Sequence, residues 1–507
     1  MSSRTGSDAG SVPVDAAPVV GGPSFLLNGE TLSLEGVDPH ESLLEIVRRN
    51  GITGPKEGCA EGDCGACTVS VRQSFATGSA YRAVVSCIVL AGQLPGAEVW
   101  TAESLSPAPG PDGSISDLHP VQAAIADSGG SQCGYCTPGI AMSLFASYYT
   151  PVRQSTSIAS DPAGETLAGN LCRCTGYRSL REASATLATA GVNRQGDPFA
   201  SRLAQPMPPR PAASVVGGGV IAFRPTTVEE ALALRAENPQ ARVVAGATDV
   251  GVEISRGGKR FPAFIMLGSI SAMRGVSRDD AGTRIGACVT MTELKSWIPA
   301  EQFPTVHKVL PWFGSRQIRN RATVGGNLMT ASPIGDLSVT WLALDAEVAL
   351  QSRTNVRWVP VASFFTGYRQ TAATADELLV AVRVRPQGVP SGGRRVEWVH
   401  KVARRDRVDI STVIAAYSIV IDAAGIVTAA RLAYGGVAAT PARAIGAEKL
   451  MIGGHWSDEG MANARTALAA AFSPIGDVRA TASYRARLVT NLFDRCLAET
   501  GISRTTA

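Results

Sequence analysis

The stretch "CAEGDCGACTVS", residues 59–70, sets Cys59, Cys64 and Cys67 in a loop of glycines and acids, and Cys87 follows after nineteen residues. A second set, Cys133, Cys136, Cys172 and Cys174, lies in "SQCGYCTPG" and "GNLCRCTGYR". Four thiols are the number that holds a tetrahedral zinc ion or a 2Fe-2S cluster. The first set has the C-x4-C-x2-C spacing with a distant fourth cysteine, the plant-type ferredoxin order, whereas zinc sites usually use C-x2-C pairs. Gly58, Gly62 and Gly65 let the backbone turn and aim N–H groups at sulfur, which offsets the negative charge of a cluster. A metal ion alone needs no such nest. For the second set no general spacing rule decides, and zinc stays open beside iron–sulfur.

These loops need elements to hold them. "SFLLNGETLSLEG" alternates around an Asn-Gly turn, "ESLLEIVRRNG" has helical periodicity, and "CTVSV" returns to strand, which predicts a small domain of strands and one helix with the first loop on its edge. Both pairs of the second set stand just before helical patterns, where the helix dipole favours thiolate charge. Past residue 190, "NRQGDPFASRLAQPMPPRPAAS" is Pro-rich and aperiodic and reads as an extended linker. "VVGGGVIAF" has Gly217, Gly219 and Ala222 at the G-x-G-x-x-A spacing of a dinucleotide fold, but Pro225 forbids the helix that must follow. "RVVAGATDVGVEI" and "ATVGGNLMTASPIGD" are better phosphate-facing loops, since small residues there let the backbone approach a pyrophosphate; ordinary turns between strands have the same composition. "STVIAAYSIVIDAAGIVTAARLAYGGVA" predicts two antiparallel strands, and "SYRARLVTNLFDRCLAET" a closing helix.

The chain of 507 residues, 45% hydrophobic, has room for three or four domains. Lysine and arginine total 47 against 43 acids, a net charge of +4 without a basic block, which argues against nucleic acid as a partner. The first residues lack the apolar core of a signal peptide, and no apolar run is long enough to span a bilayer. A soluble, cytoplasmic protein with a disordered start is therefore expected, and there its ten cysteines would stay reduced unless a metal claims them. Cys288 and Cys496 stand apart from both sets and read as buried hydrophobes. No HExxH, G-x-S-x-G, P-loop or His-rich ligand set occurs, so no substrate-converting residue is expected on this chain.

Taken together, "EGCAEGDCGACTV", "QCGYCTPGIAMS" and "GNLCRCTGYR" resemble the two successive 2Fe-2S domains of the molybdenum hydroxylases, the family of xanthine dehydrogenase and aldehyde oxidase. The glycine loops, "FFTGYRQT" and "HKVARRDRVDIS" are similar to that family's flavin-binding segments. One departure is the long interval between Cys136 and Cys172, with "PVRQSTSIASDPAGE" as the insertion. The resemblance implies that Cys59, Cys64, Cys67 and Cys87 hold one cluster and Cys133, Cys136, Cys172 and Cys174 the other, with Gln132 either near a molybdenum-cofactor pterin or an ordinary loop amide. It also implies FAD against Val243, Val244, Ala245, Gly246, Ala247, Thr248, Asp249 and Val250, with Phe313 beside the nucleotide. By the same resemblance Thr323, Gly325, Gly326 and Asn327 would form a second phosphate-facing turn, Asp336 would hold a polar part of the dinucleotide, Leu379 would pack on it, and Lys401 would face the flavin ring. At Lys401 the competing reading is a solvated surface lysine.

The implied fold class is α+β multidomain. A disordered tail (1–23) precedes a β-grasp ferredoxin-like 2Fe-2S domain (24–100) and a helical 2Fe-2S domain (101–190); a linker (191–215) leads to an α+β FAD-binding domain (216–395) and a C-terminal antiparallel sheet with helices (396–507). The implied function is that of a xanthine dehydrogenase-type electron-transfer subunit, an oxidoreductase component. A molybdenum-cofactor-binding large subunit is the expected partner, in a dimer of heterodimers, with NAD as the acceptor. Aldehyde or other heterocycle oxidation by the partner, a zinc-bearing interaction scaffold and a stand-alone NADH:acceptor reductase are the alternatives.

Overall fold

The computed structural model describes residues 22–75, 78–106, 118–149, 162–190, 195–208, 210 and 212–501. It divides into two compact units, one formed by residues up to Thr226 with Gln240–Ser269 and Ser315–Arg321, the other by Thr227–Pro239, Ile270–Gly314 and the chain from Ala322 onward. The expected tail lies almost wholly outside the described residues, as does most of the Cys136–Cys172 insertion.

The first unit opens with a five-stranded mixed sheet in the order Glu30–Ser33, Ser24–Leu27, Glu98–Trp100, Thr68–Phe75, Gly78–Val85. Ser24–Leu27 runs parallel to Glu98–Trp100, and the other pairs are antiparallel. Asn28 and Gly29 both adopt positive φ (55° and 89°), the demand of the tight hairpin that the Asn-Gly pair signals. The helix Leu43–Arg49 covers the sheet. Ser42 and Glu45 close its N-terminus as a reciprocal capping box, and Leu43, Leu44, Ile46 and Val47 are buried, each contributing about 2 kcal/mol by leaving water. This is the β-grasp arrangement.

Four helices follow, Pro120–Asp127, Thr137–Tyr149, Pro162–Leu167 and Arg178–Ala190, around a core that includes Ile125, Ile140, Phe145 and Leu180. The segment expected to be an extended linker contains a helix instead, Pro198–Ala204. Asp197 caps it by accepting from the N–H groups of Phe199 and Ala200, and Pro198 supplies the fixed φ of the first helical position. Phe199 then packs edge-on against Trp100 and Phe145. The Asp-Pro cap was legible in "GDPFASRLA"; a reading by proline content alone passes over it.

A four-stranded sheet completes this unit in the order Ala213–Gly217, Val220–Arg224, Ala263–Met266, Arg242–Val244. The run "VVGGGVIAF" is the hairpin between its first two strands, turning at Gly218 and Gly219 with φ of 57° and 75°, so no helix starts there.

The second unit holds two larger sheets. The first has the order Val276–Asp279, Gly282–Gly286, Leu378–Val384, Glu347–Gln351, Val356–Pro360. The second is an antiparallel meander, Arg394–Val402, Val413–Ile421, Val427–Gly435 and Ala442–Arg443, closed by the helix Ala482–Thr500. The turn at Asp422–Gly425 is held by the Asp422 carboxylate, which accepts from the N–H groups of Ala424 and Ile426. Tyr417, Tyr434, Trp456 and Phe493 form the heart of this core. The whole is a multidomain α+β protein.

Candidate functional site: two paired-thiol centres and two glycine turns

The loop from Cys59 to Cys67 is wound by three positive-φ residues, Ala60 (56°), Gly62 (80°) and Gly65 (67°). At Ala60 that conformation costs about 1 kcal/mol, a local strain that the loop's own hydrogen bonds offset. The Cys59 sulfur accepts from the N–H of Cys64 at 3.3 Å and of Glu61 at 3.5 Å. The backbone N–H groups of Asp63, Ala66 and Gly62 also act to lower Cys59, Cys64 and Cys87 respectively.

The four thiols perturb one another as two pairs, Cys59 with Cys64 and Cys67 with Cys87. The hydrogen bond from the Cys64 thiol, against burial and aided by backbone N–H groups, brings Cys59 down to about 4, while the same bond and burial push Cys64 up. Cys67 is likewise lowered by Cys87, which is raised in turn. Among the described residues no three His, Cys, Asp or Glu side chains converge as a mononuclear metal site requires. Two pairs of cysteines would give two ligands to each of two irons, the number that a 2Fe-2S cluster takes.

The second set repeats the pattern with crossed partners: Cys133 faces Cys174, and Cys136 faces Cys172. Burial and then Cys172 push Cys136 up to about 12. Burial also acts to raise Cys172, but hydrogen bonds from Thr175, whose Oγ1 lies 3.2 Å from the sulfur, outweigh it and leave the thiol lowered. The Tyr177 hydroxyl accepts from the Cys172 N–H at 2.8 Å and donates to the Asn170 carbonyl at 2.9 Å, clamping the Cys-x-Cys strand before the helix Arg178–Ala190 begins. Cys133, Cys174 and Gln132 are exposed. The two loops touch: the Leu171 N–H donates to the Cys64 carbonyl at 2.8 Å, and the Tyr135 hydroxyl donates to the carbonyl of Glu57. Cys288 and Cys496 lie elsewhere and are buried, and burial pushes both thiols up to about 12.

In the first unit the glycine turn after Arg242–Val244 buries Val244, Ala247 and Val250 in the core that the β-grasp sheet also lines. Val243 pairs with Ile265 in the sheet, Ala247 takes φ +67°, and the Ala245 carbonyl accepts from Gln93 Nε2 at 2.8 Å; Gly246, Thr248 and Asp249 complete the turn.

In the second unit Thr323 caps the helix Val324–Met329, its hydroxyl accepting from the Gly326 N–H at 3.1 Å. A Cβ at Gly325 would stand 2.6 Å from that of Ala287, so glycine is required there. Asn327 Oδ1 is buried without a hydrogen-bond partner, a cost of about 1–3 kcal/mol that a bound ligand's donor would remove. Lys401 is not a surface lysine. Its ammonium, buried, donates to Asp336 Oδ2 and the Asp409 carbonyl at 2.8 Å and to the Trp312 carbonyl at 2.9 Å, which occupies its three donors. Asp336 also accepts from the Ser411 hydroxyl, so these two expected cofactor contacts are joined to each other. Phe313 ends the turn Leu310–Trp312, and Leu379 is buried in the strand Leu378–Val384.

The class these features define is an iron–sulfur flavoprotein. Residues 25–92 match the 2Fe-2S iron-sulfur cluster binding domain, 101–185 the 2Fe-2S binding domain, 217–387 the FAD binding domain in molybdopterin dehydrogenase, and 398–500 the CO dehydrogenase flavoprotein C-terminal domain. Xanthine dehydrogenase of Emericella nidulans is 31% identical over 495 residues, 86% of this chain and 35% of that protein. Xanthine dehydrogenase/oxidase of Gallus gallus is 30% identical over 513 residues, 86% of this chain and 36% of that protein. The chain thus spans about a third of the length of these relatives. Among solved structures, carbon monoxide dehydrogenase from Hydrogenophaga pseudoflava superimposes with a TM-score of 0.51 at 26% identity, covering 55% of this chain and 95% of that one. Quinoline 2-oxidoreductase from Pseudomonas putida gives 0.50 at 25%, covering 54% and 94%. The chain belongs to the molybdenum hydroxylase family and carries that family's iron–sulfur and FAD-binding domains, the electron-transfer part of its chemistry.

Asn170 and Gln317, buried behind the first cysteine loop, carry no signal of their role in the sequence, since a single amide in a short helix or turn has no periodicity that singles it out.

Proposed function

We propose that this chain is the electron-transfer component of a xanthine dehydrogenase-type complex, taking electrons from a molybdenum-cofactor-binding partner chain and delivering them to NAD. Cys133, Cys136, Cys172 and Cys174 would hold the 2Fe-2S cluster nearer the partner, and Cys59, Cys64, Cys67 and Cys87 the one nearer the flavin. Val243–Val250, Phe313, Thr323, Gly325, Gly326, Asn327, Asp336, Leu379 and Lys401 would bind FAD. Bound clusters carry single electrons and bound flavin pairs them, which suits a route from an oxidised substrate to a hydride acceptor. The protein's own work is to present thiolates in facing pairs, aim amides at them and keep the glycine turns open to phosphate. The observation that carries this reading is that eight cysteines gather as two sets of four within one unit, with the Cys59–Cys67 loop joined to the Cys172–Cys174 segment by the Leu171–Cys64 hydrogen bond.

The test is to purify the tagged chain with its partner, add xanthine without oxygen, and follow flavin and iron–sulfur absorbance. Bleaching that NAD reverses is the expected result. Bleaching by NADH but not by xanthine would move the substrate to an aldehyde or another heterocycle, the latter in keeping with the structural likeness to quinoline 2-oxidoreductase. A colourless, zinc-containing preparation would overturn the cluster assignment itself. Cys59→Ser should remove the first cluster while the second remains; full cluster content in that variant would show the ligand set to be wrong.

A further inference from the structure

Behind the first cysteine loop lies a chain of polar side chains sealed from water: Thr68, Ser143, Asn170 and Gln317 are each at most 2% exposed. Asn170 Nδ2 donates to the Gly65 carbonyl at 3.0 Å and to Thr68 Oγ1 at 3.3 Å. Asn170 Oδ1 accepts from Ser143 Oγ at 2.6 Å and from Gln317 Nε2 at 2.9 Å, and the same Nε2 reaches Ser143 Oγ at 3.1 Å. The direction of this series is forced. A carbonyl only accepts, so Asn170 must turn its NH2 to Gly65; its oxygen then faces Gln317, which must turn its own NH2 inward.

That orientation leaves Gln317 Oε1 buried with no partner. An orphaned acceptor is costly, and its retention calls for a reason beyond packing. The backbone is shaped around the series: a Cβ at Gly169 would stand 2.0 Å from Gln317 Oε1, one at Gly65 2.0 Å from the Gly169 carbonyl, and one at Gly139 2.4 Å from the Gly65 carbonyl.

The reason lies in the peptide being held. The Gly65 carbonyl and the Ala66 N–H belong to one planar unit, the peptide set between Cys64 and Cys67, and its N–H acts to lower the Cys64 thiol. Gripping the carbonyl aims the N–H and polarises it. We propose that Asn170 and Gln317 are positioning residues for the first iron–sulfur centre, holding the Gly65–Ala66 peptide on the Cys64 sulfur and thereby setting that centre's reduction potential. This rests on the cluster reading given above. Hydrogen bonds to sulfur favour the more negative, reduced state, so loosening the peptide lowers the potential.

The experiment is an EPR-monitored redox titration of the holoprotein and its Gln317→Met variant, which keeps the length of the side chain and deletes its donors. Cys59→Ser identifies which signal belongs to the first centre. The expected result is a tenfold fall in the equilibrium constant for one-electron reduction of that centre, about 59 mV, with the second centre unmoved. Ser143→Ala, which keeps the Gln317–Asn170 bond, should give a smaller shift of the same sign and serves if Gln317→Met does not fold. An unmoved first potential with only a lower melting temperature would overturn the proposal and leave the series as packing. A wild-type protein without two distinct 2Fe-2S signals would instead overturn the cluster reading.

Discussion

At the scale of the residue, the Lys401–Asp336 pair joins two residues expected at the cofactor by a contact of their own. Both side chains are nearly buried, at 5% and 9% exposed, and they lie 2.8 Å apart. Removing one charge from such a pair strands the other, a loss of about 3–5 kcal/mol. Lys401→Met should therefore lower the unfolding free energy by that amount even when no flavin is present, and an unchanged unfolding free energy would show the pair to be open to water. The cysteines contrast with it: spacing alone marked them, because a cluster prescribes ligand number and loop length, whereas an ion pair prescribes neither.

At the scale of the element, His119 ties the helical domain together. It caps the helix Pro120–Asp127 by accepting from the Val121 N–H through Nδ1; its Nε2 meets the Tyr149 hydroxyl at 2.9 Å, and that hydroxyl donates to Asp197. Burial lowers the imidazole from 6.5 to about 4. Between those values the unfolded chain binds the proton and the folded chain does not, so the stabilisation is whole above pH 6.5 and is lost as the pH falls toward 4, about 2–3 kcal/mol in all. His119→Asn keeps a capping side chain and should flatten the stability slope between pH 7 and 5; an equal slope in both proteins would place the acid sensitivity elsewhere. Asp197 joins this network from the segment that composition marks as linker. Its cap pairs a local signal with a long-range use, and only the local half is written in the sequence.

At the scale of the whole molecule, all eight paired cysteines fall in one unit and the large antiparallel meander in the other. Metal bound to the folded state adds its binding energy to folding, and multidomain chains unfold in more than one step. Stripping iron with a chelator should lower one thermal transition by several degrees and leave the transition of the unit containing Arg394–Thr500 in place. A single transition that shifts as one would show the two units to be coupled.

The sequence by itself determined the two thiol sets, the β-grasp hairpin at Asn28–Gly29 and the absence of a phosphate-binding helix after Gly217–Gly219, because each rests on residues within one turn or one loop. The tertiary structure alone decided that the Leu171 N–H reaches the Cys64 carbonyl, that Lys401 pairs with Asp336, and that Gln317 bonds to Asn170, which holds a loop carbonyl some 250 positions before Gln317. Those are contacts between segments distant in the chain. Close packing fixes them from many directions at once, and no local pattern of hydrophobicity, charge or spacing encodes a partner that only the folded core brings near.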